Sequence, residues 1–250
     1  AGMSDGRRVS TEAVDIALLE SHANGITLNE GQADLVRQMA TSGARVQLAI
    51  APAGTGKTTA MTSLTRAWGE DGGHVIGLAP SAAAAAQLRE ATGTHTDTLA
   101  KYDQLLTSEA PGSHPEWWDQ VNQDALLVID EAGMADTLTL QRVVNHALQR
   151  GASVRLVGDD QQLAAVGAGG VLRDIKAEHG AVELAQVMRF HDPAEAAASL
   201  SLREGRPEAI GFYLDRRRVH VGDMATMSEE VFEAWRADRA AGLDSVMLAP

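Results

Sequence analysis

Short apolar segments recur along the chain, and longer stretches with helical periodicity separate them. The apolar segments are enriched in β-branched residues and bounded by polar ones, which predicts buried strands. They lie at residues 45–50, 74–80, 125–130, 153–159 and 181–187. Helices are predicted between them, at residues 57–68, 81–91, 137–149 and 168–178. Strands that alternate with helices predict an α/β fold, in which helices cover both faces of a parallel sheet.

Helical patterns also precede the first strand. They cover residues 11–20 and 30–41, and Ser10 is the predicted N-cap of the earlier helix. We therefore interpret residues 1–27 as an N-terminal helical extension and residues 28–192 as the α/β lobe.

After residue 190 the pattern changes. A helix is predicted near residues 193–204, and Thr226 with Glu229 forms the capping-box pattern of a further helix. One face of that helix carries Val231, Phe232 and Trp235.

The last apolar segment, SVMLAP at residues 245–250, has the pattern of another buried strand. We interpret residues 193–250 as a connecting segment followed by the start of a second lobe, which the chain is expected not to complete.

Composition narrows the classes of function. Hydrophobic residues make up 44% of the 250 residues, which is enough for a sizeable core. The chain has no cysteine, so it has no disulfide framework or thiolate metal site, and this fits a cytoplasmic location. The sequence carries neither an apolar stretch of about 18 residues nor a secretory signal, so no membrane is predicted among its partners.

The net charge of −13 argues against a protein that coats nucleic acid in general, since such a protein carries a basic excess. It leaves room for a local basic groove, because salt confines the field of a charge to about one Debye length.

The segment IAPAGTGKTT, residues 50–59, follows the first predicted strand and opens a helix. It matches the phosphate-binding pattern G-x-x-x-x-G-K-[ST], except that Ala51 replaces the first glycine. That position only starts the turn, so one methyl group is a small perturbation where φ is negative. A plain turn is the alternative, but the strand–loop–helix context favours a phosphate-binding loop.

The residues of this loop have distinct predicted roles. Successive backbone N–H groups can surround phosphate oxygens, and Gly54 and Gly56 allow the close approach. Lys57 supplies a positive charge for the β- and γ-phosphates, and the Thr58 hydroxyl is a ligand of Mg²⁺. The predicted nucleotide-binding residues of the loop are Ala53, Gly54, Thr55, Gly56, Lys57, Thr58 and Thr59.

The segment LLVIDEAGM, residues 126–134, places two acids at the end of another apolar strand. Asp130 is positioned to join the water shell of Mg²⁺, and Glu131 to polarise an attacking water. Adjacent acids alone are common on surfaces. Together with the phosphate loop upstream, they predict ATP and Mg²⁺ as cofactors.

A neutral amide follows the strand at 153–159. Gln162 can bond the γ-phosphate or the attacking water, and a solvated turn is the alternative.

The motifs stand in an order that resembles superfamily 1B DNA helicases of the RecD and TraI type. They are LNEGQADLV (28–36), APAGTGKTT (51–59), GLAPSAAAAAQL (77–88), DTLAKY (97–102), VIDEAGM (128–134), GDDQQL (158–163) and VMRF (187–190). The segment SLREGRPEAIGFYLDRRRVHVGDM (201–224) is similar to the helicase part of conjugative relaxases of the MobF (TrwC/TraI) family. The resemblance covers residues 25–250 and implies a P-loop NTPase with a RecA-like sheet.

The resemblance implies further site residues. Gln32 matches the glutamine that recognises the adenine edge, and Gln162 matches a coupling glutamine. Arg189 matches an arginine near the γ-phosphate, where a cation stabilises the transition state. The phosphate, magnesium and catalytic carboxylate positions are matched by Lys57, Thr58, Asp130 and Glu131. The positions that touch the single-stranded DNA backbone are matched by Pro80, Ser81 and Thr98.

Without the resemblance, three of these residues have simpler interpretations. Gln32 is then a polar helix residue, Arg189 a partner in a surface ion pair, and Thr98 a helix N-cap.

The sequence also departs from the family. Ser81 stands where threonine is commoner. A helicase closes its ATP site against a second lobe that brings a further arginine, so this chain is expected to bind nucleotide but to hydrolyse it poorly and not to unwind DNA. The eight histidines form no H-x-H or H-x-x-H cluster, and neither Tyr102 nor Tyr213 lies near one, so DNA nicking is not predicted.

Three functions are consistent with these motifs. The first is a motor lobe that moves single-stranded DNA, with the rest of a relaxase polypeptide and conjugation proteins as partners. The second is a helicase-like module that grips DNA without hydrolysing ATP, and the presence of Lys57, Asp130 and Glu131 argues against it. The third is a P-loop ATPase that acts on a protein partner.

Two segments have open interpretations. Residues 216–218, all arginines, either join a DNA groove or form a solvated basic turn. Residues 103–124 are predicted to be an irregular excursion between a helix and a strand, and a strand-separating wedge is left open.

Overall fold

A computed structural model describes residues 5–108, 114–162, 170–184, 190 and 192–247. The chain divides into two compact units, one up to residue 189 and the other from residue 190. The boundaries after residues 27 and 192 stay predictions. In the described part of the chain, no helix is both long and apolar enough to cross a membrane.

The apolar segments of the first unit pair as parallel strands. In the described ranges these are β1 (Val46–Ile50), β2 (His74–Ala79), β3 (His95–Thr98), β4 (Ala125–Ile129), β5 (Ser153–Gly158) and β6 (Val182–Glu183). Their order across the sheet is β3-β2-β4-β5-β1-β6. The predicted parallel sheet is confirmed, and β3 is added to it. The sequence of β3, HTDT, has no apolar run and so gave no strand signal.

The last predicted strand differs in length. It was expected over residues 181–187 and is observed only at Val182–Glu183, while residues 185–187 lie outside the described residues. The other four predicted strands agree with β1, β2, β4 and β5 to within one residue at each end.

Helices follow the strands, as the alternating pattern predicts. The first unit contains α1 (Thr11–Ala23), α2 (Glu30–Thr41), α3 (Lys57–Glu70), α4 (Ala82–Thr92), α5 (Leu99–Leu106), α6 (Thr137–Gln149) and α7 (Val171–His179). Two short 3₁₀ helices lie at Glu116–Gln120 and Ala132–Met134. The predicted N-cap of α1 is confirmed, because the Ser10 hydroxyl accepts the Ala13 N–H at 3.3 Å.

Both faces of the sheet are buried. Leu127 of β4 belongs to a cluster with α5, α6 and α7, whereas Leu126 and Val128 belong to a cluster with α1, α2 and α3. Successive residues of a strand point to opposite faces, so one apolar strand supplies both cores. The prediction of helices on both faces is therefore confirmed.

A fully buried arginine lies inside β5. Arg155 has no exposed surface, and its Nε and Nη2 donate to the Met39 carbonyl at 2.9 and 2.7 Å, while Nη1 donates to the Ala44 carbonyl at 2.9 Å. Burial lowers the pKa of Arg155 to about 10. Because the last carbonyls of a helix have no partner within it, Arg155 ties the C-terminal end of α2 to the sheet.

The second unit contains α8 (Pro193–Arg203), α9 (Ala209–Asp215) and α10 (Met224–Ala240). The predicted capping box at Thr226 is wrong. The helix starts earlier, and the Asp223 carboxylate accepts the Thr226 N–H at 3.0 Å. Since aspartate is as good an N-cap as threonine, the sequence pattern alone did not separate the two positions.

The predicted strand at 245–250 is also not observed. Residues 245–247 lie outside any strand, with Val246 77% exposed, and residues 248–250 are outside the described ones. Two of the three arginines at 216–218 pair with acids of this unit: Arg216 pairs with Asp192 at 3.1 Å, and Arg218 pairs with Glu195. These contacts match a basic turn that stabilises the unit.

The segment at residues 103–124, which leads from α5 to β4, contributes to a buried aromatic cluster. Trp117 and Trp118 of the 3₁₀ helix pack against Tyr102 of α5. His114 and His146 stack on Trp118, with ring centroids at 4.6 and 4.9 Å. The described part of this segment is thus more ordered than the sequence predicted.

Acidification is expected to weaken this cluster. Partial burial, helped by the charges of Arg150 and His114, lowers the pKa of His146. Below about pH 6.5, the usual histidine pKa, the unfolded chain therefore binds more protons than the folded chain. The stability that neutral His146 contributes is fully present above about pH 6.5, and it is lost as the pH falls through the lower pKa of His146 in the folded protein. Urea unfolding at about pH 7.5 and about pH 5.5 measures the loss.

His146→Phe keeps a ring on Trp118 but cannot be protonated, so we expect it to reduce the difference in unfolding free energy between the two pH values. His179→Gln, at the exposed end of α7, serves as the control and should change nothing. An unchanged pH dependence in His146→Phe would contradict the prediction.

Candidate nucleotide-binding site

The predicted site residues follow strands that are neighbours in the sheet. β5 pairs with β1 on one side and β4 on the other, with Ile50 opposite Gly158 and Ile129 opposite Leu156. All these pairs are parallel, so their carboxyl ends meet at one edge of the sheet, where α/β sheets hold ligands. The phosphate loop follows β1, and Asp130 follows β4.

The phosphate loop begins in ordinary backbone. Ala51 is buried, its N–H donates to the Gly158 carbonyl at 2.8 Å, and its φ is not positive. The replacement of the first glycine is therefore accommodated without strain. Further on, Gly54 and Gly56 have φ values of 83° and 77°, in the region that favours glycine.

Two contacts hold the loop in place. The buried Thr55 hydroxyl donates to the Pro52 carbonyl at 2.8 Å. Gln32 of α2 donates from Nε2 to the Thr55 carbonyl at 2.9 Å. A Cβ at Gly56 would lie 2.0 Å from that Nε2 atom, so the present contact between Gln32 and the loop requires a glycine at residue 56.

Gln32 itself is fixed by the start of α2. Its Oε1 accepts the Asn29 N–H at 2.9 Å, and its N–H donates to the Asn29 side chain at 2.8 Å. This is a capping box, and Gln32 is only 4% exposed. The Asn-x-x-Gln spacing at residues 29–32 carried this signal in the sequence.

Lys57, the first residue of α3, lies between the two predicted acids. Its Nζ is 2.8 Å from Asp130 Oδ1 and 2.5 Å from Glu131 Oε1. Burial acts to lower the pKa of Lys57, but the attraction of Asp130 and the hydrogen bonds to both acids outweigh it and raise the pKa. Lys57 is therefore a firmly charged cation at this edge of the sheet.

Hydrogen bonds of their backbone N–H groups fix the positions of Asp130 and Glu131. The Asp130 N–H donates to the Leu78 carbonyl at 2.9 Å, which continues the pairing of β4 with β2. The Glu131 N–H donates to Asp130 Oδ1 at 2.8 Å, and Glu131 has a left-handed φ of 50°. Such a conformation is unusual for a residue with a side chain, and residues that adopt it cluster at functional sites.

The segment after β5 packs beside these acids. A Cβ at Gly158 would lie 3.3 Å from the Gly133 backbone nitrogen, so the two chain segments touch closely. Asp159 is buried, and its Oδ1 accepts the Gln161 N–H at 3.0 Å. Gln162 lines the same pocket as Gly133 and Asp159. Arg189 lies outside the described residues.

The predicted DNA-contacting residues end two other strands at this edge. Pro80 and Ser81 follow β2, and Thr98 is the last residue of β3. The Ser81 hydroxyl accepts the Ala84 N–H at 3.2 Å, and the Thr98 hydroxyl accepts the Lys101 N–H at 3.1 Å. Both side chains are thus N-caps, of α4 and α5 respectively.

The donor set suits a magnesium nucleotide. No described side chain caps α3, whose N-cap is Gly56, so its first N–H groups are free of side-chain acceptors. Lys57 adds a cation, the exposed Thr58 adds a hydroxyl, and Asp130 adds a carboxylate. Groups of three or more His, Asp or Glu side chains that could hold a metal by themselves are absent from the described residues, so phosphate oxygens would complete a metal shell here.

Comparison with known proteins is consistent with a nucleotide-binding site. An AAA domain family matches residues 27–224. The conjugal transfer protein TraA of Rhizobium radiobacter is 31% identical over 216 residues, which cover 86% of this chain and 18% of that protein. The ATP-dependent RecD2 DNA helicase of Deinococcus radiodurans is 34% identical over 163 residues, which cover 65% of this chain and 22% of that protein.

The chain spans about a fifth of the length of these curated relatives. Among solved structures, UvsW of bacteriophage T4 aligns with a TM-score of 0.52 and 13% identity over 73% of this chain and 40% of that chain, a likeness in fold alone. The predicted kinship with RecD-like helicases and conjugative proteins is confirmed, and the chain belongs to the AAA domain family of P-loop ATPases.

Proposed function

We propose that this chain is the ATP-dependent motor lobe of a DNA helicase or translocase, which binds ATP with Mg²⁺ and single-stranded DNA. The observation that carries the proposal is the position of Lys57 Nζ, 2.8 Å from Asp130 and 2.5 Å from Glu131, at the end of the phosphate loop. A phosphate loop that lies beside two acids is the arrangement that nucleotide hydrolysis requires.

Each residue then has a role in the proposed reaction. The loop N–H groups and Lys57 hold the phosphates, and Thr58 with Asp130 would hold Mg²⁺. The metal, when bound, neutralises charge on the phosphate oxygens. Glu131 orients the attacking water and accepts its proton.

The remaining nucleotide residues are proposed to sense or stabilise the reacting phosphate. Gln162 bonds the γ-phosphate or the attacking water, and Arg189 places a planar cation near the charge that develops in the transition state. Gln32 contacts the adenine edge, which requires its amide to exchange at least one of its present bonds to Asn29 or Thr55.

Single-stranded DNA is proposed to cross the same sheet edge at Pro80, Ser81 and Thr98. This is supported by the helices that begin there, because the N–H groups of a first helical turn that the cap does not occupy favour phosphate oxygens. Contacts of this type do not depend on the base sequence and weaken as salt increases.

The relatives suggest the wider setting. RecD2 is named a DNA helicase and TraA a conjugal transfer protein, so we propose that this chain acts within a conjugative relaxase or helicase polypeptide in the cytoplasm. Other proteins of the conjugation machinery are proposed partners.

A helicase-like module that binds single-stranded DNA without a motor is the second candidate. The retention of Lys57, Asp130 and Glu131 in mutual contact argues against it, since a module without hydrolysis has no use for that arrangement. The two functions differ in one measurable property: nucleotide changes the DNA affinity of a motor but not that of a passive module.

The first prediction concerns the shape of the loop. Gly56→Ala is expected to lose nucleotide binding, because the left-handed backbone costs about 1–2 kcal/mol for alanine and the new methyl collides with Gln32. Ala51→Gly, the matched change, should keep nucleotide affinity and lose only about 0.4–1 kcal/mol of unfolding free energy. Isothermal titration calorimetry and urea unfolding give both quantities. The reverse ranking of the two variants in calorimetry would show that the loop does not surround phosphate.

The second prediction concerns charge. Lys57→Ala is expected to abolish magnesium-dependent ATP binding, with a drop of about 100-fold or more, because hydrogen bonds to charged groups contribute about 1.5–3 kcal/mol each. Arg66→Ala, a cation on the same helix that pairs with Glu20, is the control and should bind as the wild type does. Calorimetry that gives equal ATP affinities for Lys57→Ala and wild type counts decisively against the proposal.

The third prediction concerns DNA. Ser81→Asp keeps an N-cap on α4 but places a negative charge against the DNA backbone, so the affinity for single-stranded DNA should fall by about tenfold at low salt. Ser228→Asp adds the same charge to α10 and should have little effect. Fluorescence anisotropy of a labelled oligothymidine, with and without an ATP analogue, measures the affinity. Equal weakening by both variants would mean that Ser81 does not face the DNA.

A further inference from the structure

A threonine hydroxyl links the phosphate-loop helix to the next helix. Thr62 lies in the second turn of α3, and its Oγ1 is 2.9 Å from the Thr58 carbonyl and 3.0 Å from the Ala91 carbonyl of α4. Neither the motifs nor the family resemblance singled out this residue.

The two acceptors compete for one proton. A hydroxyl carries a single hydrogen, so Thr62 either shares it between the two carbonyls or alternates between them. The bond to Thr58 stays within α3, whereas the bond to Ala91 crosses to α4. Ala91 lies in the last turn of α4, where carbonyls have no donor inside the helix, and the Thr62 hydroxyl supplies one.

The two helices begin at the two proposed binding sites. α3 starts at Lys57, and α4 starts directly after Ser81. Thr58, the proposed magnesium ligand, lies one turn before Thr62 on α3. A shift of the first turn of α3 therefore changes how well Thr62 reaches Ala91, and a helix of 11 residues transmits that change along its axis toward Ser81.

Hydrogen bonds also attach α4 to β3. Arg89 donates from Nε to the Thr96 hydroxyl at 3.1 Å, and that hydroxyl donates to the Ala85 carbonyl at 2.9 Å. These bonds join α4 to β3, whereas the contact between Thr62 and Ala91 is a polar link from α4 to α3 and can respond to α3.

We propose that Thr62 is a positioning residue that couples nucleotide binding at the phosphate loop to the affinity of the α4 end for single-stranded DNA. The inference rests on the proposed function. It adds the route by which one site influences the other.

Thr62→Val tests the coupling, because valine keeps the shape of threonine and removes the donor. The measured quantity is the ratio of oligothymidine affinities with and without a non-hydrolysable ATP analogue plus Mg²⁺, taken from anisotropy titrations of the 250-residue chain. We expect this ratio to move about fivefold toward one in Thr62→Val, as the loss of one hydrogen bond implies. Thr62→Ser, which restores a donor, should restore the ratio.

The matched control is Thr65→Val. The Thr65 hydroxyl donates at 2.9 Å to the Thr62 carbonyl and so stays within α3. This variant should keep the wild-type ratio. In all three variants, the affinity for each ligand measured alone should stay within about twofold of the wild type, which a general loss of structure would not allow.

The outcomes separate the inference from the proposed function. If Thr62→Val keeps the full ratio, or if Thr65→Val reduces it equally, Thr62 is not the link. If the wild type binds both ligands but its oligothymidine affinity is the same with and without the ATP analogue, the two sites are not coupled. The inference about Thr62 then fails, while the proposed binding of nucleotide and DNA remains. If the wild type binds neither ligand, the proposed function fails and the inference fails with it.

Discussion

Two neighbouring carboxylates at a partly buried sheet edge require a cation, and Lys57 supplies it. The side chains of Asp130 and Glu131 are 15% and 27% exposed, so water screens only part of their mutual repulsion. The single charge of the Lys57 ammonium lies against both carboxylates and offsets one of their two charges. If phosphate groups draw Lys57 away, as proposed, the acids need a replacement cation, and oxygen ligands favour Mg²⁺. The charge balance of the site thus gives a physical reason for nucleotide and metal to bind together.

The position of the phosphate loop depends on a series of contacts that begins at the buried Arg155. Arg155 fixes the C-terminal end of α2 through the Met39 and Ala44 carbonyls. At the other end of α2, the Gln32 amide holds the Thr55 carbonyl of the phosphate loop. One helix therefore connects the centre of the sheet to the loop. This guanidinium is tolerated in the core because backbone carbonyls satisfy its N–H groups.

The sequence predicted the elements that are continuous along the chain and missed those that depend on chain folding. The motifs predicted that Asp130 and Glu131 lie at the phosphate loop, but the order of β1, β5 and β4 that brings Asp130 to Lys57 is not encoded in short segments. Arg155 stands in an apolar strand, and the Met39 and Ala44 carbonyls that accept its N–H groups are brought to it by chain folding. The cap of α10 fell on Asp223 rather than Thr226, because both residue types cap helices and the turn of the backbone selects between them. β3 had no apolar pattern at all, since only backbone pairing with β2 makes it a strand.

The distribution of acids matters more than the net charge of −13. Helices α6, α8 and α10 have aspartate N-caps, which oppose the positive ends of their dipoles. By contrast, α3 and α4, which are described in full, have uncharged caps and no acidic residue in the first turn. Both begin at the sheet edge that carries Lys57. Because the first turns of α3 and α4 carry no acid of their own and the acids beside α3 are paired with Lys57, the overall charge does not argue against nucleotide or DNA binding there.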